Sequence, residues 1–276
     1  MTGSTTARRA LTLVTGGSRG IGHHLVRAFL GDGDVLNISR KPAEVGDSTH
    51  QLHNLTLDLG NTADIEPSLN AWFDTHPDYE VRLLIHNAAT VSLGRLDQVL
   101  PEEIEHAFRV NVYAPLAVTT SLFRAGRFAG AGEVRVVYTV SSLARPVPEL
   151  SYAGLGLYSM TKAALSRMAL IQSREFALSA PRIKVLRVHP GIVDTELQRE
   201  IRADDRMDPA FADKTAGLPA YREGEWIDRA PKDHMRTVSA EFAAEFVAWT
   251  ARTPEISSAE YDFYHTERFH RARATR

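Results

Sequence analysis

The chain of 276 residues is 43% apolar and 24% charged, and it contains no apolar run long enough to span a bilayer. Its 32 basic and 34 acidic residues nearly cancel, so the overall charge offers no electrostatic attraction to nucleic acid or to an anionic membrane surface. Cysteine is absent, which excludes disulfides, thiolate metal sites and thiol catalysis.

Short β-branched runs alternate with longer segments of helical period, a pattern typical of βαβ units on a parallel sheet. Strands are predicted at Leu11–Val14, Val35–Ser39, Leu55–Leu57, Val81–His86, Val134–Val140, Ile183–Val188 and Glu260–Tyr264. Helices are predicted at Gly20–Leu30, Ile65–Phe73, Pro101–Phe128, Leu157–Ala177 and Ser239–Thr250. No linker or internal repeat divides the chain. We therefore predict one α/β domain over residues 1–276, a Rossmann-type doubly wound sheet of about seven mostly parallel strands with helices on both faces.

Two segments depart from this alternation. Residues 195–235 are rich in Asp, Arg, Pro and Gly and show no clear period. A segment of that length is either a functional lid or disordered, and we favour a lid because it follows a strand at the edge where open α/β sheets bind ligands. The other segment, residues 268–276, is locally basic, and we expect a frayed, solvated tail.

A glycine-rich turn joins the first strand to the first helix in "LTLVTGGSRGIG", residues 11–22. Gly16 permits a tight turn, Gly20 lets the backbone approach a diphosphate, and Gly22 lets the helix pack closely on the strand. The free N–H groups at the helix N-terminus then hold the phosphates. The stretch therefore predicts a dinucleotide site.

The end of the second strand indicates which dinucleotide is bound. An acidic residue there would accept hydrogen bonds from the ribose of NAD, but the run "VLNISRK" carries Arg40 instead. With Arg19 of the glycine turn, two guanidinium groups would pair with a 2′-phosphate, and this favours NADPH/NADP+. The alternative is that either arginine only faces water.

The order of the motifs resembles the short-chain dehydrogenase/reductase family. The family's Thr-Gly-x-x-x-Gly-x-Gly signature is matched by Thr15, Gly16, Gly20 and Gly22, and its Tyr-x-x-x-Lys signature is matched within "LYSMTK". The resemblance implies further cofactor contacts at Ser18, Ile21, Asp58, Leu59, Asn87, Ala88, Tyr158, Lys162, Pro190, Gly191, Val193 and Thr195. Ala89 stands where the family has glycine in its Asn-Ala-Gly block.

The same resemblance implies a catalytic set of Ser142, Tyr158, Lys162 and Asn111. Four positions apart on a helix, Tyr158 and Lys162 share one face, so we expect the ammonium to lower the pKa of the tyrosine. Ser142 would hydrogen-bond the substrate carbonyl, and Asn111 would anchor a proton-relay water. Ser142 lies sixteen positions before Tyr158, a few more than the family usually has, which keeps Ser141 as a second candidate for the serine.

No metal site is predicted from the histidines, which show no metal-ligand spacing with acidic neighbours. The histidines in question are His23, His24, His86 and His189. The start of the chain, "MTGSTTARR", lacks the apolar stretch of a secretory signal, and we expect a cytoplasmic protein.

Within the family, the likeness extends to sepiapterin reductases and the related benzil and diketone reductases. In sepiapterin reductases an aspartate of an Asp-Phe-Tyr run holds the pterin ring, and Asp262 of "EYDFYH" matches it; alternatively, Asp262 is only a polar residue on an edge strand. Together with Ser142 and Tyr158 it is the predicted substrate contact. A ketone of secondary metabolism would suit the same residues.

The resemblance also implies a homodimer or homotetramer. The contrasting hypothesis is a non-catalytic NADP-binding sensor, which would have no need of all four catalytic residues. We therefore expect an NADPH-dependent carbonyl reductase acting on a small-molecule ketone, with neither nucleic acid nor membrane as a partner.

Overall fold

Seven parallel strands form one sheet in the computed structural model, which describes residues 8–128, 130, 132–221 and 236–274. The sheet consists of β1 (Arg9–Thr15), β2 (Asp34–Ser39), β3 (Leu52–Thr56), β4 (Tyr79–His86), β5 (Val134–Thr139), β6 (Ile183–His189) and β9 (Glu260–Asp262). The strand order is β3-β2-β1-β4-β5-β6-β9, and every neighbouring pair is parallel. Two short strands, β7 (Ile192–Asp194) and β8 (Thr237–Ser239), pair separately.

Helices cover both faces of the sheet. They are α1 (Gly20–Leu30), α2 (Ile65–Thr75), α3 (Pro101–Phe108), α4 (Ala114–Arg124), α5 (Gly156–Ser179), α6 (Glu196–Ala203), α7 (Pro209–Ala216), α8 (Ala240–Arg252) and α9 (Glu267–Ala274). One apolar core packs α2, α4 and α5 against the sheet, and a second core packs α1, α8 and α9. The predicted α/β doubly wound fold is confirmed. Among the described helices, none has the length and apolarity needed to cross a membrane.

The predicted helix over 101–128 is interrupted. A π-helical turn, Arg109–Tyr113, separates α3 from α4. The wider turn carries Asn111, whose amide oxygen accepts a hydrogen bond from the Thr90 N–H at 2.8 Å and whose amide nitrogen donates to the Thr90 carbonyl at 2.8 Å. The prediction of one continuous helix was wrong because periodicity does not reveal an inserted residue of this kind.

The described part of the predicted lid contains two helices. At the start of α6 the hydroxyl of Thr195 accepts the Gln198 N–H at 3.3 Å, and at the start of α7 the carboxylate of Asp208 accepts the Ala210 N–H at 2.9 Å. The lack of a clear period over the whole segment did not reveal these helices, although Leu197 and Ile201, four positions apart, pack into the same cluster from one face of α6. The remainder of the predicted lid, 222–235, lies outside the described residues.

The expected solvated tail is instead a docked helix up to residue 274. Phe269 of α9 is 1% exposed and packs against Phe246 and Phe263. The ring of His270 contacts the Phe263 carbonyl oxygen through Nε2 at 2.6 Å. The prediction was wrong because one buried aromatic side chain outweighs the loosening effect of neighbouring arginines on a chain end.

Replacing Phe269 by alanine tests this anchor. Phe269→Ala is expected to lower the free energy of unfolding by about 3 kcal/mol, the usual cost of removing a buried phenyl ring. Urea unfolding of the full chain would measure it. As a control, Arg268→Ala removes an exposed ion pair with Glu255 and should change stability by less than about 1 kcal/mol. Equal stability of both variants would contradict a docked α9.

Candidate active site

A cavity of about 640 Å³ lies where the strand order reverses, between the carboxyl ends of β1 and β4. Open α/β sheets bind their ligands at this switch point because the loops that leave the two strands diverge there. The glycine turn forms the floor of the cavity, and the ends of β2, β3 and β4 and the start of α6 form its walls. The sheet topology thus opens a crevice at the predicted dinucleotide site.

The glycine turn has the backbone geometry that only glycine adopts readily. Gly16 and Gly20 have φ of 73° and 56°, in the left-handed region. At Gly22 a Cβ atom would lie 2.1 Å from the Gly16 carbonyl oxygen, so any side chain there would push α1 away from β1. No side chain caps the N-terminus of α1, and its first turn carries no acidic residue. These features fit a bound diphosphate.

Most of the predicted cofactor residues line this cavity. They are Gly16, Ser18, Arg19, Gly20, Ile21, Arg40, Asp58, Leu59, Asn87, Ala88 and Thr195. Thr15 lies behind the wall, where its hydroxyl accepts the N–H groups of Asn87 and Ala88 at 3.1 and 3.2 Å. The sequence analysis did not identify Lys41, which also lines the cavity. Its position directly after Arg40 in "SRK" could have indicated it.

The two arginines predicted to select the cofactor differ in their surroundings. Arg40 is exposed at the cavity rim with Lys41. Arg19 forms an ion pair with Glu196 at the start of α6, across the cavity mouth, and both side chains are mostly exposed. Exposed pairs of this kind are weak, so an anionic ligand would compete readily for Arg19.

A second, smaller cavity of about 170 Å³ adjoins the first. Its lining includes Ser141, Ser142 and Tyr158 and also the predicted cofactor residues Pro190, Gly191 and Val193. The two cavities share three lining residues, which are Ile21, Thr195 and Leu197. A dinucleotide in the first cavity would therefore extend to the wall that carries the predicted catalytic residues.

Tyr158 is hydrogen-bonded to Ser141, the second candidate for the serine, while Ser142 begins a short 3-10 turn beside it. Burial of the phenol raises the pKa of Tyr158 to about 12, and the hydrogen bond from Ser141 opposes this only in part. The expected lowering of this pKa by Lys162 stays a prediction. Tyr158 is protonated at neutral pH, which is the form that can give a proton to an oxygen.

Lys162 lies one helical turn after Tyr158 and is 3% exposed. Its Nζ donates a hydrogen bond of 3.0 Å to the carbonyl oxygen of Thr139 at the end of β5, and it lies 5.7 Å from the centre of the Tyr158 ring. Burial lowers the pKa of Lys162 to about 8. The shared helix face is as predicted, but the ammonium is held by the sheet rather than by the phenol oxygen.

Asn111 is hydrogen-bonded both to the wall of the larger cavity and to the helix that carries Tyr158. Besides binding both backbone groups of Thr90 in the wall of the larger cavity, its amide nitrogen donates to Thr161 Oγ1 in α5 at 3.0 Å. It thus ties the loop after β4 to the helix of Tyr158. Its predicted anchoring of a relay water stays a prediction.

Asp262 does not line the smaller cavity, but His189, its register partner on β6, does. The Asp262 carboxylate binds Arg145 at 2.8 Å and the Tyr264 N–H at 3.0 Å, and His189 Nδ1 lies 3.4 Å away. Although burial opposes ionisation, the contacts with His189 and the Tyr264 N–H hold the pKa of Asp262 well below its usual range. Its direct contact with substrate stays a prediction.

Metal-binding groups of three or more His, Asp or Glu side chains are absent from the part of the chain that the structure describes.

Comparison with known proteins supplies the family context. Residues 10–206 match the family model described as short chain dehydrogenase. A benzil reductase ((S)-benzoin forming) of Bacillus cereus is 24% identical over 90% of this chain and 96% of its own. A sepiapterin reductase of Meriones unguiculatus is 30% identical over 79% of this chain and 86% of its own.

Among solved structures, a short chain dehydrogenase from Burkholderia cenocepacia J2315 in complex with NADP superposes with a TM-score of 0.66. It is 24% identical, and the match covers 93% of this chain and 96% of that one. This likeness supports the fold.

Substitution of Gly22 tests the close contact in the glycine turn. Gly22→Ala is expected to weaken binding of a nicotinamide dinucleotide at least about tenfold, because its methyl group displaces α1 from Gly16. Fluorescence titration with NADPH would measure it. Gly33→Ala, which meets no atom within 4 Å, is the matched control and should bind as the parent chain does. Equal affinity of the two variants would show that this contact does not shape the site.

Proposed function

The chain belongs to the short-chain dehydrogenase/reductase family and is an NAD(P)-dependent oxidoreductase of CH–OH and C=O groups, and on this basis we propose that it is an NADPH-dependent carbonyl reductase. The proposed substrate is a ketone of a small cyclic or vicinal dicarbonyl compound. The observation that carries the proposal is the adjoining pair of cavities, one floored by the glycine turn and the other walled by Tyr158.

In the proposed reaction, bound NADPH would supply the hydride for the carbonyl carbon. Tyr158 gives its phenolic proton to the carbonyl oxygen, so that the ketone, one hydride and one proton together become an alcohol. Its pKa of about 12 keeps that proton in place until the oxygen becomes basic enough to accept it. A proton from solvent then restores the phenol.

Lys162 and the two serines support this transfer. The buried ammonium lies on the face of Tyr158, where it stabilises the phenolate that forms when the proton leaves. A serine hydroxyl in the same wall binds the carbonyl oxygen and stabilises charge that develops there. Ser142 is the serine that the family order favours, and Ser141 is the one already hydrogen-bonded to Tyr158.

The choice of NADPH rests on charge at the rim of the larger cavity. Arg40 and Lys41 at the end of β2 and Arg19 in the glycine turn all line it. Asn37 of β2 is uncharged, and its side-chain oxygen accepts the Gly17 N–H of the glycine turn at 2.8 Å. An acidic residue at this position would repel a phosphate. Asp58 lines the cavity further along, with its carboxylate engaged by the Gly60 N–H at 2.9 Å.

The substrate class draws on the relatives. The names of two of them state activity on benzil and on sepiapterin, which are a vicinal diketone and a pterin ketone. The lining of the smaller cavity includes the apolar side chains of Leu150, Leu155 and Phe211, and it suits a compact ring or an alkyl ketone. A ketone intermediate of secondary metabolism is the alternative substrate.

We also propose a homodimer or homotetramer that assembles through α4 and α5. Large apolar side chains are exposed on both helices, among them Leu116, Phe123, Met160 and Ile171. Exposed apolar groups on adjoining helices are typical of an interface between subunits. A single species of 30.5 kDa in light scattering would exclude this assembly.

Removal of the tyrosine hydroxyl tests the proposed function. Tyr158→Phe is expected to bind NADPH normally, because the glycine turn is untouched, and to reduce ketones about 10³-fold more slowly. The assay is NADPH oxidation with a panel of vicinal diketones, pterins and quinones. Tyr152→Phe removes a hydroxyl from the same cavity and should slow reduction less than about tenfold.

The same assay determines which of the two serines binds the carbonyl oxygen. Ser142→Ala should cost about 10²-fold in turnover and Ser141→Ala less, if Ser142 binds the carbonyl oxygen; the reverse ranking would assign that role to Ser141. Near-parental rates for Tyr158→Phe would remove the tyrosine from the mechanism.

Reversal of charge at the cavity rim tests the cofactor. Arg40→Asp is expected to lower the preference for NADPH over NADH about 100-fold, since it removes a charged hydrogen bond to the 2′-phosphate and adds repulsion. Steady-state kinetics with both cofactors would measure it. Arg27→Asp makes the same charge change on the exposed face of α1 and should leave the preference unchanged. An unaltered preference in Arg40→Asp would count against the phosphate contact.

A further inference from the structure

His189 and Gln198 are among the polar side chains of the smaller cavity that the proposed reduction does not use. His189, at the end of β6, is 5% exposed, and Gln198 lies in the first turn of α6. Both line the cavity together with Ser142 and Tyr158. The inference below rests on the proposed function and concerns what these two side chains recognise.

Gln198 presents an unused hydrogen-bond donor. Its amide Nε2 is buried and has no hydrogen-bond partner among the residues that the structure describes. Its backbone N–H is already bound by the Thr195 hydroxyl, which fixes the residue at the start of α6. A buried donor without an acceptor is unfavourable, so a ligand oxygen at this point would remove a cost that the ligand-free protein bears.

His189 presents an acceptor. Its Nδ1 lies 3.4 Å from the Asp262 carboxylate, an electrostatic contact without hydrogen-bond geometry, and that carboxylate is held in place by Arg145 and by the Tyr264 N–H. An ionised carboxylate keeps the imidazole proton on the nitrogen that faces it. In the neutral imidazole the other nitrogen, Nε2, then carries a lone pair, and no hydrogen bond to it comes from the described part of the chain.

The surrounding charges keep this arrangement in one orientation. Arg145 also binds Glu260 at 3.3 Å, and Glu260 binds Arg187 at 2.8 Å. Arg145, which follows the short turn at Ser142, thereby holds the carboxylate of Asp262 at the end of β9, next to the His189 imidazole. Asp262 and Arg145 are positioning residues, because they act through His189.

A donor and an acceptor in the same cavity wall are complementary to a hydroxyl group, which both accepts and donates. We propose that His189 and Gln198 bind a hydroxyl of the substrate while the ketone oxygen faces Tyr158. The hydroxyl donates to His189 Nε2 and accepts from Gln198 Nε2. The substrate class is therefore a hydroxy ketone, whose reduction gives a diol.

Two ketones that differ only in this hydroxyl test the assignment. The probes are acetoin and 2-butanone, each reduced with NADPH by the full-length protein. The parent chain is expected to favour acetoin about 30-fold in kcat/KM, as two hydrogen bonds would provide. Gln198→Met should reduce this preference about fivefold, mainly through KM. Leu178→Met changes an exposed side chain outside the cavity and should leave the preference intact.

A conservative replacement distinguishes positioning by Asp262 from direct contact with substrate. Asp262→Leu should abolish the preference for acetoin, because the imidazole loses its orientation. Asp262→Asn retains an oxygen that accepts the Nδ1 proton and should restore most of the preference. Failure of Asp262→Asn to restore it, with His189→Phe harmless, would overturn the assignment and place the substrate on Asp262 itself.

Binding measured without turnover separates this inference from the proposed function. Saturation-transfer NMR with the two probes should show stronger binding of acetoin to the parent chain than to Gln198→Met. Reduction of both ketones at equal rates, with equal binding, would overturn the hydroxyl site and leave the reductase standing. Preferential binding of acetoin without reduction of any ketone would overturn the reductase and leave the hydroxyl site standing.

Discussion

The contact between α1 and the end of β1 determines how the rest of the site is built. Gly22 approaches the Gly16 carbonyl so closely that a Cβ atom would lie 2.1 Å from it. Because the helix can pack there, Leu25 and Phe29 enter the core on one side of the sheet, and the uncapped N-terminus of α1 faces the larger cavity. Both the packing of α1 on the sheet and the anion site at its N-terminus thus depend on glycine at position 22, which has no side chain.

The neighbouring strand is attached to the same turn by polar contacts. Asn87 donates from its side chain to the carbonyl oxygens of Thr15 and Gly16, and Asn37 accepts from Gly17. The Asn111 amide nitrogen likewise donates to the Thr90 carbonyl and to Thr161 of α5. Since each amide here bonds to backbone, the cavity walls keep a fixed spacing through uncharged side chains.

The buried ionisable groups beside the smaller cavity are arranged differently. Lys162 is held by a backbone carbonyl, and its pKa falls to about 8, whereas Tyr158 keeps its proton with a pKa of about 12. Asp262 stays ionised because its contacts outweigh its burial. Tyr158 in the cavity wall thus holds a proton, whereas Asp262, which does not line the cavity, is an ionised carboxylate beside His189.

Local patterns in the sequence determined the fold class, the glycine turn and the spacing of Tyr158 and Lys162, because each depends on residues within about one helical turn or one strand. Helix α1 was predicted to the residue for this reason, and the seven strands were placed to within a few positions. Two further features escaped prediction because their contacts join residues that are far apart in the chain. The π-turn at Asn111 depends on a bond to Thr90, and the docking of α9 depends on aromatic side chains of α8 and the segment after β9.

Only the tertiary structure decided which distant side chains meet. His189 and Asp262 are register partners on neighbouring strands although 73 positions separate them, and Arg145 reaches the same carboxylate from a third segment. The sequence had assigned Asp262 to the substrate and His189 to no role. Their pairing follows from the strand order β6-β9, and strand order is set by how helices cover the two faces of the whole sheet, which no local pattern records.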